Sequence, residues 1–372
     1  MASRLFESAR IGSVEIPNRI VVAPMCQYSA NDGSATDWHL QHLSQLAYSG
    51  AGLVMVEATA VERRGRITHG CLGLYSDDNE AALARAIAAA RRLAGPTKFG
   101  IQIAHAGRKA SSRRPWEDGS ALAANEDPWL TVSSSAAPYG EGWHVPQALG
   151  VDDIDATIAA FVQAAQRAVR IGFEVIEIHS AHGYLLHQFL SPLANARTDR
   201  YGGSLDNRMR LPLAVIAAVR AAVPASVAVG LRVSATDWVD GGWDLPRTIA
   251  YVREAKQPGI DYVCVSSGGI RAGVKVPVAP EYQVEFAQEV KTSTGVPTRA
   301  VGLITDPHQA ERILAEGRAD MIALARAFLD DPRWGWRAAD ALGARAHFPP
   351  PYSMARGAGW RRFRDEIAVA NG

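Results

Sequence analysis

Short apolar runs alternate with longer amphipathic ones along most of the chain. The apolar runs fall at 19–24, 52–60, 98–105, 174–179, 227–233, 261–266, 297–302 and 320–324. Each has the length of a strand. Runs such as Val227-Ala-Val-Gly-Leu and Tyr262-Val-Cys-Val are apolar on both faces, as a buried parallel strand requires. After each comes a stretch with helical spacing, at 38–49, 79–93, 152–171, 205–223, 245–256, 282–293, 307–316 and 334–342. Asp152, Ser204 and Asp306 stand just ahead of three of these and are expected to cap them. Eight successive strand–helix units predict an α/β fold, the (β/α)8 TIM barrel. A doubly wound sheet would usually carry Gly-x-Gly-x-x-Gly after an early strand, and the chain has no such turn.

Two segments interrupt the repeat. The polar stretch 106–150 is too long for a plain connection and predicts a lid or small subdomain over the barrel mouth. Residues after about 345 lie outside the repeat. The organisation expected is therefore a barrel over 1–345, with 106–150 inserted after the third strand, and a tail over 346–372.

Composition narrows the function classes. Hydrophobic residues make up 48% and charged residues 21%, as in a globular protein, and the net charge of +1 gives no reason to expect nucleic acid or an anionic membrane as partner. No apolar run approaches the roughly 18 residues of a membrane span, and Met1 to Phe6 has no signal-peptide core. Cys26, Cys71 and Cys264 are odd in number and far apart. They do not suggest a disulfide framework and are too few for a four-cysteine zinc or iron–sulfur site, so a cytoplasmic protein without a metal is expected.

In a TIM barrel the chemistry sits at the C-terminal ends of the strands. The first strand is followed by Ala23-Pro24-Met25-Cys26-Gln27-Tyr28, and the second ends at Ala58-Thr59. The third carries Gln102 and His105, the fourth runs into His179-Ser-Ala-His182-Gly-Tyr184, and the fifth carries Arg232. The seventh and eighth end at Gly302-Leu303 and Ala325-Arg326. The spacing of His179 and His182 lets both rings turn toward one point. They read as a metal pair lacking a carboxylate, as two satisfied loop residues, or as two donors to an oxygen that gains negative charge. Tyr184, a neutral phenol, is a candidate acid. Arg232 is costly to bury without an anion and reads as half of an internal ion pair or as a cation beside a bound ring. Gln102 offers donor and acceptor to such a ring, or packs as a polar residue. Gly302 allows close backbone approach and Arg326 adds a charged fork, at the loops where TIM barrels often hold phosphate.

The motifs Asn18-Arg-Ile, Ala23-Pro-Met-Cys-Gln-Tyr28, Gln102-Ile-Ala-His-Ala-Gly-Arg-Lys109, His179-Ser-Ala-His-Gly-Tyr184, Phe189-Leu-Ser-Pro and Arg197-Thr-Asp-x-Tyr-Gly-Gly-Ser204-x-x-Asn-Arg208 resemble those of the old yellow enzyme family of flavin-dependent ene-reductases. The likeness runs over roughly residues 4–345 and points to the thermophilic-like subgroup that includes the xenobiotic reductases. It implies a TIM barrel binding FMN non-covalently, reduced by NADPH or NADH and passing hydride to the β-carbon of activated alkenes (enones, maleimides, nitro compounds). It places Ala23, Pro24, Met25, Cys26, Ala58, Gln102, Arg232, Gly302, Ala325 and Arg326 at FMN. His179 and His182, with Tyr28, would hold the substrate oxygen. Tyr184 would deliver the proton to the α-carbon, and Cys26 would tune the flavin. Both half-reactions share one site in this family, which accounts for the missing dinucleotide-binding turn. The resemblance also implies a homo-oligomer, dimer or tetramer, with Arg356 or Trp360 reaching a neighbour's site. Where relatives carry Trp beside the seventh-strand glycine this chain has Val301, so a wider pocket is expected there. The competing expectation is a non-enzymatic barrel or a non-flavin enzyme such as a Schiff-base aldolase. The latter needs a lysine at a strand's C-terminal end, which Lys98, Lys109, Lys256, Lys275 and Lys291 do not offer in the sequence.

Overall fold

The computed structural model describes residues 3–356 and residue 360. Eight parallel strands close into a barrel: β3 (Ile20–Val22), β4 (Leu53–Ala60), β5 (Lys98–Ala104), β8 (Val175–Ser180), β9 (Ala228–Ser234), β10 (Tyr262–Ser266), β11 (Thr298–Ala300) and β12 (Met321–Leu324), which pairs back onto β3. These are the eight runs expected, trimmed at the ends where pairing stops. The first and seventh shorten most, each to three residues, so Val301 and Gly302 lie beyond β11, in the loop.

Helices α1 (Asp37–Ala47), α2 (Asp77–Arg91), α3 (Val151–Ile171), α5 (Leu205–Ala222), α6 (Leu245–Lys256), α7 (Val284–Thr294), α8 (Pro307–Ala315) and α10 (Trp334–Ala341) follow the successive strands. Their apolar stripes and the outward faces of the strands form one buried cluster, with Leu83, Phe161, Val215, Val252, Val290 and Ile313 from the helices. Burying each such side chain is worth roughly 1.5–3 kcal/mol. Ser204 and Asp306 cap as expected, their side chains accepting from the N–H groups of Asn207 and Gln309. Asp152 does not: the N-cap of α3 is Gly150, whose N–H donates to the Asp153 carboxylate at 3.1 Å, and Asp152 falls in the first turn.

Three features lay outside the sequence reading. A hairpin of β1 (Ala9–Ile11) and β2 (Val14–Ile16) sets Ile11, Val14 and Ile16 against the barrel-interior residues Val21, Leu53, Val175 and Met321. It thereby plugs the end opposite the strand C-termini. Short helices α4 (Leu185–Leu190) and α9 (Arg326–Asp330) follow the fourth and eighth strands directly.

The segment 106–150 contains two 3-10 turns and the two-residue strands β6 (Val132–Ser133) and β7 (Gln147–Ala148). It lies against loops at the C-terminal end of the barrel. Arg108 donates to Ile270 O at 2.8 Å, and Arg114 donates to Tyr28 O at 3.1 Å.

Candidate active site

Parallel register sets Gln102 beside Glu177, and His179 beside Arg232 and then Cys264. Just past β8 the chain turns through His182, at a positive φ of 58°, and Gly183. A Cβ on Gly183 would lie 2.0 Å from Gly269 O, so only glycine fits that close approach. This turn brings His179, His182 and Tyr184 together. The His179 ring meets His182 at 5.1 Å and Tyr184 at 4.9 Å, both edge to face.

The hydrogen bonds assign the tautomers. Ala181 N–H donates to His179 Nδ1 at 3.2 Å, so the His179 proton sits on Nε2, facing His182 Nδ1 at 3.3 Å. His182 then carries its proton on Nε2, 2.7 Å from Ser266 Oγ. The two rings therefore donate in series rather than converging on one point, the arrangement suggested by their spacing. Burial, followed by the nearby Arg232 cation, holds both imidazoles well below 6.5, so they are neutral donors.

Tyr184 is pushed well above 10 by burial, and secondarily by Cys26 and Cys71, and keeps its phenolic proton. It borders a small cavity of about 10 Å³, whose lining includes Ala58, Ala60, Cys71 and Ala104. Tyr28, held at a positive φ of 50°, is raised by burial as well, and its ring meets Trp116 of the inserted segment at 5.8 Å. Burial, then Glu57, drives the Cys26 thiol well above 9, so it stays protonated.

A second, larger cleft of about 170 Å³ opens at the ends of β11 and β12. Ala23, Arg232, Gly302, Ala325 and Arg326 line it, five of the residues expected at the cofactor. Ala58 borders the smaller cavity, and Gln102 is buried, its Nε2 donating to Glu177. Pro24, Met25 and Cys26 continue from Ala23 as partly buried loop. Arg232 makes no ion pair among the described residues, and its Nε is buried without a hydrogen-bond partner. The internal ion pair considered for it is thus absent, and an anionic or carbonyl-rich ring would satisfy it. On that observation the site fits FMN, which Arg232 and Gln102 would hold by its ring system and Gly302, Ala325 and Arg326 would hold along the cleft.

Several residues of the site went unread in the sequence. Ser266 and Gln283 line the cleft; both Ser266 and Ser267 donate to Gln283 Oε1, at 3.2 and 2.6 Å. The position of Ser266 at the last residue of β10 was the available signal. Lys109, set aside in the sequence as no candidate at a strand end, is partly buried and donates to His182 O at 2.9 Å and Gly269 O at 3.1 Å. Its Nζ also lies 4.6 Å from the Tyr139 ring and 5.0 Å from the Tyr184 ring, and burial, then Arg108, pulls it down to about 8. Both carbonyl bonds commit the ammonium to holding the loops together.

Residues 4–344 match the sequence pattern of the NADH:flavin oxidoreductase / NADH oxidase family. The chain belongs to this family. The old yellow enzyme resemblance read from its motifs therefore holds, and this family member is an NAD(P)H-dependent oxidoreductase whose cofactor is FMN. It is 43% identical over 349 residues to an NADH:flavin oxidoreductase of Gibberella zeae, covering 89% of this chain and 84% of the relative. It is 42% identical over 355 residues to an NADPH dehydrogenase of Listeria innocua, covering 95% and 99%. Among solved structures it resembles morphinone reductase with a TM-score of 0.75 and 27% identity, over 94% of this chain and 92% of that one. A non-enzymatic barrel and an aldolase are set aside by this membership. No helix among the described residues is long and apolar enough to cross a membrane.

Proposed function

We propose that this oxidoreductase is an ene-reductase acting on enones, maleimides and related activated alkenes, nitroalkenes included. The observation that carries the reading is the contact of one neutral imidazole, His179, with both a second neutral imidazole and a protonated phenol. The chemistry supplied by bound FMN is hydride transfer, from NADPH or NADH in one half of the cycle and to the alkene β-carbon in the other.

The remaining work falls to side chains. His179 Nε2–H and His182 Nε2–H donate to the carbonyl or nitro oxygen, which gains charge as the β-carbon is reduced; each leaves its present partner, His182 or Ser266, to do so. Tyr28 borders the same region and assists in holding the substrate. Tyr184 gives its proton to the α-carbon. Arg232 stabilises negative charge on the bound ring, and Cys26 stays a thiol beside it. The inserted segment 106–150 acts as a lid over Tyr28.

Changing His179 and His182 together to Ala tests the reading. Losing one donor to a developing oxyanion costs on the order of 3 kcal/mol, so cyclohexenone reduction should fall by at least about a hundredfold while FMN stays bound. Parent-like reduction by the double variant would overturn it.

A further inference from the structure

Below the site, the barrel interior holds a buried polar cluster of which only Gln102 has been placed at the cofactor. Glu177 on β8 is fully buried. Its Oε1 accepts from Gln102 Nε2 at 2.7 Å, its Oε2 accepts from the Tyr262 hydroxyl at 2.9 Å, and the Arg299 guanidinium pairs with the same oxygen. Arg299 is also fully buried and lies over the Tyr262 ring, with Cζ 4.9 Å from its centroid. The four side chains come from β5, β8, β10 and β11, so the contacts run across the inside of the barrel. Gly230 makes the room: a Cβ there would sit 2.1 Å from the Tyr262 ring.

Around them the interior is apolar, with Met55, Val175, Ala228 and Met321. A buried ion pair does not usually out-stabilise apolar packing of the same volume, so stability alone is a poor reason for it. The consequence for Gln102 is specific. An amide has a donor end and an acceptor end, whereas an ionised carboxylate accepts only. Glu177 must therefore face the Gln102 NH2 group, and the Gln102 carbonyl oxygen is the end left for a ligand. One pleat further along, His179 on β8 and the unpartnered Arg232 on β9 lie side by side.

We infer that Glu177, anchored by Arg299 and Tyr262, is a positioning residue that turns the Gln102 amide into a one-sided acceptor, so that the site selects a cofactor ring presenting an N–H beside its carbonyl oxygens. This rests on the placement of Gln102 at FMN proposed above. The imide N–H of the flavin pyrimidine meets the requirement, and a flavin methylated on that nitrogen does not.

The experiment compares FMN with N3-methyl FMN, exchanged into the full-length protein and followed by flavin fluorescence. Leaving a buried acceptor unpaired costs enough that the parent should prefer FMN by roughly tenfold or more. Equal affinity of the parent for the two flavins would overturn the inference without any variant. Glu177→Gln offers Gln102 a donor as well as an acceptor and frees the amide to reverse, so the preference should fall toward unity. Where that variant does not fold, Glu177→Leu combined with Arg299→Leu removes both charges together and should show the same loss. Gln102→Leu separates the two layers of the argument. If it keeps the parent's preference, the placement of Gln102 fails. If it loses the preference while the Glu177 variants keep it, the placement stands and the positioning role of Glu177 is refuted.

Discussion

A phenol can serve as the acid only if it still carries its proton when the substrate needs one. Burial secures this for Tyr184, and burial also keeps His179 and His182 neutral, so the three groups hold their protonation states across the neutral range. Tyr184→Phe deletes the proton and keeps the ring against His179. Flavin reduction by the nicotinamide should proceed nearly unchanged, while stopped-flow reoxidation by an enone slows by roughly 10²–10⁴-fold. Equal reoxidation rates would leave Tyr28 or solvent as the proton source. Cys26 poses the opposite question. Its thiol is raised by burial and by Glu57, so it is a poor nucleophile. Cys26→Ala should remain active with altered half-reaction rates, and loss of both half-reactions with flavin still bound would point to covalent chemistry at sulfur. At this scale the sequence was informative wherever partners are close in the chain, as in the stretch from His179 to Tyr184. It was silent on Glu177 and Arg299, which are 122 positions apart and meet only because β8 and β11 face each other inside the barrel. The series donation from His179 through His182 to Ser266 was equally hidden, since Ser266 lies 84 positions from His182.

The elements at the barrel mouth are tied by a recurring unit, a histidine between a backbone N–H and a carboxylate. His39 Nδ1 accepts from Thr36 N–H and Nε2 faces Glu57 at 3.4 Å. His105 Nδ1 accepts from Gly107 N–H and Nε2 faces Glu62 at 2.9 Å. His187 Nδ1 accepts from Gly183 N–H and Nε2 faces Asp237 at 3.2 Å. The second unit joins the loops after β4 and β5 and has a measurable pH signature. Burial alone would raise the Glu62 carboxyl, but the hydrogen bond from His105 and the Arg64 cation override it and hold it at about 2, against an ordinary 4.5. The folded carboxyl is thus the stronger acid. Its stabilisation is complete above about 4.5 and drains away as pH falls toward 2, amounting to roughly 3 kcal/mol over that window. Urea unfolding of the parent and of Glu62→Gln between about pH 6 and about pH 2, the range that spans this titration, should converge as pH drops. Parallel losses would show that Glu62 contributes none of the acid sensitivity. Such ties were not legible, because each needs the strand ends already in place. The strands and the eight principal helices were legible, since their periodicity extends over enough residues to stand out. The three-residue strands of the N-terminal hairpin and the short α4 and α9 are below that length.

For the whole molecule, the question is how the chain ends. The tail was expected to leave the barrel and reach a neighbour through Arg356 or Trp360. In the structure its first part docks on its own chain. The Tyr352 ring lies 5.7 Å from Tyr48 and 5.6 Å from Trp336, with the Arg333 guanidinium 5.7 Å from its centroid and 4.1 Å from that of Tyr48. This stack pins the 3-10 segment Pro350–Arg356 to the C-terminal end of α1 and to α10. Residues 357–359 and 361–372 lie outside the described residues, while Trp360 is helical and about half exposed (49%). We propose, as the family resemblance implies, a homo-oligomer in which the tail contributes to a neighbouring mouth. Removing residues 350–372 should lower both the oligomer's mass and the rate of enone reduction. Tyr352→Ala, which loosens the anchor and leaves the tail present, should weaken assembly by a smaller amount. Light scattering and turnover measured on the same dilution series would read both effects together. A truncated protein that stays fully active as a monomer would overturn the assembly. A truncated protein that keeps its mass and loses turnover would show instead that the tail serves the site of its own chain.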